Sequence, residues 1–177
     1  MADEPKPLSR SEREAKIKDK AGLVVSIFAA ILAFNIYIGN GLSSTVMNNT
    51  IKANDVWNFY QAKSIKQTSY ELAADNAVDP LKKQEYLKVV ERYESDPATG
   101  EGKKELMANA KQLEADRDLA KKKSPWISFA GSAMQLAIVL VSASIIAVSN
   151  LMFWSSFGVM ALGIILMSQG VLMWMPF

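Results

Sequence analysis

Polar and apolar positions along this chain fall into blocks before they fall into any finer period. Residues 22–42 form an apolar run interrupted only by Asn35 and Asn40, and the last 54 residues, Ser124 to Phe177, contain no Asp, Glu, Lys or Arg. That tail divides at Ser149 and Asn150 into runs 126–148 and 151–174, of 23 and 24 residues. Each exceeds the roughly 20 residues that cross about 30 Å of hydrocarbon at about 1.5 Å per residue. The pattern predicts an all-α integral membrane protein with three transmembrane helices, at 21–42, 126–148 and 151–174, the last two forming a hairpin. Residues 1–20 are a charged leading segment, and 43–125 an extramembrane helical domain between the first and second spans.

Within that domain the period changes. Ala53, Val56, Trp57 and Tyr60 recur at i, i+3, i+4 and i+7, which predicts an amphipathic helix beginning beyond a break at Gly39, Asn40 and Gly41. Lys52, Asp55, Lys63 and Lys66 fall on another face, toward water. Asp79 and Pro80 read as the cap and first residue of a second helix, whose stripe is Tyr86, Val89, Val90 and Tyr93. Residues 95–102 read as a turn. A third helix over 103–123 carries Leu106, Ala110, Leu113 and Ala120, but Arg117 occupies the intervening core position, which argues against a strong coiled coil. Ser124 and Pro125 are expected to restart the chain as cap and first residue of the second span, with Trp126 at interfacial depth. Near the N-terminus, Ser9 to Glu12 matches a capping box. Strand signals are absent.

Charge decides orientation only by a secondary argument. Six basic residues precede the first span (Lys6, Arg10, Arg13, Lys16, Lys18, Lys20), while Lys52 follows it and five more precede the second (Lys111, Arg117, Lys121, Lys122, Lys123), which is six against six. The first span usually dominates, and an 83-residue loop is long enough for its charges to lose control of translocation. A cytoplasmic N-terminus and a periplasmic middle domain follow. The first run is too long for a signal-peptide core and is not followed by an A-x-A site, so it reads as an uncleaved anchor.

Composition removes most chemistry. The chain has no His and no Cys, which takes away the usual general base, thiolate nucleophiles and the softer metal ligands. The acidic groups Glu91, Glu94, Asp96 and Glu114, Asp116, Asp118 sit among basic neighbours and read as solvated surface. No catalytic residue, cofactor or metal site is expected. No span contains a carboxylate, amine or guanidinium, which argues against a proton relay, a voltage sensor or a cation-coupled transporter.

What the spans do carry is small and polar residues in stripes: Gly22, Ser26, Ala29 and Ala33 in the first; Ser128, Ser132, Gln135, Ser142 and Ser149 in the second; Ser156, Gly163 and Gly170 in the third. Such stripes let helix backbones approach where lipid supplies no hydrophobic drive, either within one chain or between copies. Asn35, Gln135 and Gln169 are the amides well inside the spans and are expected to bond between helices.

The segment Asp55-Val-Trp-Asn-Phe-Tyr-Gln-Ala-Lys-Ser-Ile-Lys66 resembles the D-x-W-x-Y-Y-Q-A-K-x-I-K signature of a bacterial three-span membrane family classed as a domain of unknown function. It departs from that signature at Phe59, and the uncharged Ser149-Asn150 turn stands where the family often has basic residues. The resemblance implies an outside domain, and it directs attention to Trp57, Tyr60, Gln61, Lys63 and Lys66 as interaction residues. It implies no activity, substrate or cofactor. The expected function is that of a non-enzymatic structural or interaction protein of the bacterial inner membrane. Its expected partners are the bilayer and either further copies of itself or another membrane protein, with no nucleic acid. The alternative is an oligomeric channel or transport accessory subunit lined by Ser128, Ser132, Gln135 and Ser142.

Overall fold

A computed structural model describes residues 10–175, and the regular structure among them is helical throughout. The Ser9 cap therefore lies outside the described residues. Four helices follow in order: α1 (Arg10–Asp75), α2 (Pro80–Glu94), α3 (Lys103–Ala147) and α4 (Asn150–Leu172). Three of them, α1, α3 and α4, are long and apolar enough to cross a membrane. They divide into two compact units, one from residues up to 43 together with 121 onward, the other from residues 44–120, and α1 and α3 contribute to both.

Two expected interruptions are absent. α1 continues through Gly39, Asn40 and Gly41. Glycine in a helix costs about 1 kcal/mol relative to alanine but removes no hydrogen bond. At Gly39 the helix meets Ile127: a Cβ there would stand 3.4 Å from Ile127 Cγ2, an ordinary contact distance. The Ser124-Pro125 restart is absent as well, because Pro125 lies inside α3. An interior proline costs about 3 kcal/mol; here the residues just beyond it, Ile127 and Ala130, are buried and hold the following turns in place.

The span unit packs around Ala21, Phe28, Ala130, Met134, Ala137, Val141, Phe153 and Met160. Phe28 meets Phe157 edge-on at 5.4 Å. α3 and α4 form the expected hairpin: Val148 turns the chain at φ 48°, and the Ser149 hydroxyl caps α4 by accepting from the Met152 N–H at 3.4 Å. Their approach is set by glycine. A Cβ at Gly163 would lie 2.9 Å from Met134 Cγ, and one at Gly170 would lie 2.6 Å from Ile127 Cδ1.

In the second unit α2 starts as the sequence indicates, Asp79 Oδ1 accepting from the Leu81 N–H at 2.9 Å with Pro80 in the first turn. The turn over 95–102 closes tightly, since a Cβ at Gly102 would run into the Asp96 backbone nitrogen and lie 2.6 Å from Ser95 Cα. Ala53, Ala74, Leu106, Ala110 and Ala120 are buried there, while α2 buries none of its residues completely. The core of this unit is thin, and polar contacts carry much of its organisation.

Candidate functional site

The signature helix splits along its length into an inward and an outward set. Trp57, Tyr60 and Lys63 are half-buried, whereas Asp55, Gln61, Ile65 and Lys66 are exposed. Spacings of three place the first set on one face, which turns toward α2 and α3. Trp57 Nε1 donates to Glu114 Oε1 at 3.1 Å, and its ring meets Tyr60 edge-on at 5.5 Å. Lys63 Nζ pairs with Glu101 Oε2 at 3.1 Å, 4.9 Å from the Phe59 ring centre and 5.5 Å from that of Tyr93. Lys63 thus departs from the water-facing position its spacing suggested. Its stem crosses apolar surface and its ammonium reaches an acid at the edge.

A second cation completes the arrangement. Lys103 Nζ donates to Gln67 Oε1 at 2.8 Å and to Glu94 Oε2 at 3.3 Å, and sits 5.6 Å from the Tyr60 ring centre. Gln67 Nε2 donates in turn to Glu94 at 3.4 Å. The Lys103 hydrogen bond, helped by Gln67, holds the Glu94 carboxyl below its ordinary value of 4.5. Glu105 is lowered too, chiefly by the Ser95 hydroxyl at 2.7 Å and further by the Asp96 N–H. Asp118 raises Arg117 through a 2.8 Å contact. Among the described residues no set of acids is grouped as a metal site would require. Gln67, Glu101 and Lys103 were not among the residues the sequence singled out, and Glu94, read there as solvated surface, is bonded instead to Lys103 and Gln67; Gln67 lies seven after Tyr60 and so continues the inward face.

In the span unit the three stripes face different ways. Ser156, Gly163 and Gly170 are buried against neighbouring helices, so the third span's stripe serves the packing of this chain. Gly22, Ser26, Ala29 and Ala33 are exposed. Ser128, Ser132, Gln135 and Ser142 are exposed as well, along one side of α3. Ser132 and Ser142 donate to the carbonyls of Ser128 and Ile138 in their own helix, while the Gln135 side chain has no hydrogen bond among the described residues.

The intramembrane amides have separate fates. Asn35 bonds between helices as expected, Nδ2 donating to Ile127 O at 3.1 Å, but its buried Oδ1 has no partner. A buried polar atom left unpaired costs about 1–3 kcal/mol. Gln169 instead folds over the end of its own helix, donating to Met175 O and accepting from Met175 N at 3.1 and 3.0 Å. Asn35 lines a groove of about 270 Å³ between α1 and α3, whose walls include Asn40, Ser43, Ser124, Ser128, Ser132 and Gln135. Its polar lining was half visible in the sequence: one cluster ends the first run and the other begins the second, and antiparallel helices bring those ends level.

Residues 17–173 match the family described as Domain of unknown function (DUF4337). The chain belongs to that family. Membership spans both units, so the groove and the Trp57 network each fall within the family's extent. No curated protein and no solved structure matches the chain.

Proposed function

We propose that this chain is a non-enzymatic, multi-pass protein of the bacterial inner membrane that associates with copies of itself through the polar side of α3. One observation carries the reading: Ser128, Ser132, Gln135 and Ser142 are exposed on a helix apolar enough to span the bilayer. In hydrocarbon an unpaired amide costs a few kcal/mol, and pairing helices is the ordinary way to recover it. The N-terminus is cytoplasmic and the domain over 43–125 periplasmic, a reading supported by first-span dominance and loop length. There the exposed signature residues Gln61 and Lys66 are available to another envelope protein, while Trp57, Tyr60 and Lys63 hold the domain's own helices together. The Asp-x-Trp signature supports bacterial origin by resemblance.

The test is the mass of the full chain in mild detergent, by light scattering with detergent subtracted. A discrete oligomer is expected, and the double substitution Gln135→Leu with Ser142→Leu is expected to shift it toward monomer. A wild-type mass near 19.5 kDa removes the reading. A second reading, an oligomeric channel or transport accessory subunit, is favoured by the uncharged polar groove beside the same residues. Loss of solute flux from vesicles in the double variant, with the oligomer intact, selects it.

A further inference from the structure

The serines of the spans follow one habit, and the groove between α1 and α3 departs from it. Ser26, Ser142, Ser144, Ser155, Ser156 and Ser168 each donate their hydroxyl to a carbonyl three or four residues back in their own helix, which satisfies a donor that hydrocarbon cannot. Within the groove Ser132 does the same, but the side chains of Asn40, Ser43, Ser124, Ser128 and Gln135 have no hydrogen bond among the described residues. Ser124 is partly exposed and the other four are exposed, so a group from outside reaches them. Asn35 is a different case. Its Nδ2 donates to Ile127 O and its Oδ1 is sealed beneath the surface, so it belongs to the floor and not to the binding groups.

Five unspent hydroxyl and amide side chains in one place suit a partner with several hydroxyls of its own, since each hydroxyl both donates and accepts. Among the described residues no charged side chain lines the groove, so a phosphate or carboxylate drawn into it loses water without gaining a counter-ion. The volume, about 270 Å³, falls just below the roughly 300–1,000 Å³ of sites that enclose a whole small molecule, and suits a headgroup. The level suits one too. The walls are the end of α1's apolar run and the beginning of α3's, where headgroups meet hydrocarbon, and exposed Ile36 adds apolar surface beside them. We propose that the groove binds a neutral polyhydroxyl group, a sugar or glycerol, carried by a lipid of the surrounding leaflet or free in solution. Ser128 and Gln135 also serve the self-association proposed above, whereas Asn40, Ser43 and Ser124 belong to the groove alone. The inference therefore goes beyond that reading and can fail without it.

Full-length protein in a detergent without sugar is mixed with monoglucosyl diacylglycerol, with the same diacylglycerol lacking the sugar, or with free glucose, and bound ligand is counted by native mass spectrometry. The glucolipid is expected to be held roughly tenfold more tightly than its sugarless match, the effect of one or two hydrogen bonds. Ser43→Ala with Ser124→Ala is expected to remove most of that preference while leaving the mass of the protein in detergent unchanged. Ser26→Ala with Ser168→Ala, whose hydroxyls are already bonded within their own helices, is expected to leave the preference intact. Glucose that binds without the glucolipid, or displaces it at equal concentration, places the source in solution; a glucolipid that glucose does not displace places it in the membrane. Equal retention of the two lipids with no glucose bound overturns the proposal. So does tighter retention of phosphatidic acid than of the glucolipid, or a preference untouched by Ser43→Ala with Ser124→Ala.

Discussion

Glu94 shows how single contacts organise a domain with little core. It accepts from both Lys103 and Gln67, and Lys103 stands over Tyr60, so one carboxylate links α2 to two other helices. Its folded pKa lies below the ordinary value of 4.5. A depressed carboxyl stabilises the fold above the unfolded value, and the stabilisation is lost as pH falls through the folded one. Thermal unfolding of residues 44–120, followed by circular dichroism on the full chain in detergent, is therefore expected at lower temperature once the pH drops below about 4.5. Glu94→Gln should lower the midpoint at pH 7 and flatten that decline, whereas parallel curves for the two proteins remove Glu94 from the account. The sequence read this acid as solvated surface. Its partners lie at positions 67 and 103, and no local spacing connects them.

The helices were legible where periodicity ran unbroken and misread where a residue usually associated with ends lay inside. The α2 cap at Asp79 and Pro80, the turn before Lys103 and the hairpin at Ser149 all follow local chemistry that the sequence displays. Gly39, Gly41 and Pro125 display the same kind of signal, yet α1 and α3 pass through them. Their neighbours are held by contacts between helices, such as Ile127 against Gly39, which no window of one helix contains. Pro125 separates the two descriptions by experiment. As the first residue of a helix it would be favourable, and Pro125→Ala would destabilise the protein. As an interior residue it costs about 3 kcal/mol, so Pro125→Ala is expected to leave stability unchanged or raise it, measured by detergent unfolding of the span unit.

For the whole molecule, the proposed three crossings tie the sides together. If all three helices cross, the N-terminus and the Ser149-Asn150 turn share one side of the bilayer and the domain over 43–125 takes the other. Basic residues are balanced at six against six between those sides, and the turn contributes none. Its neutrality leaves the first span as the main determinant of orientation. If the N-terminus is cytoplasmic, a basic residue placed in the turn reinforces the arrangement; if it is periplasmic, the same residue opposes it. Asn150→Lys is suited to this test because Asn150 is exposed and the capping hydroxyl belongs to Ser149. Protease added outside intact spheroplasts is expected to cut the exposed stretch Pro97 to Glu101 in the wild type, and to the same extent in Asn150→Lys. Protection in the wild type reverses the assignment. Cleavage that rises in the variant shows a wild type of mixed orientation that one charge redistributes, and the six-against-six balance then counts for more than first-span dominance.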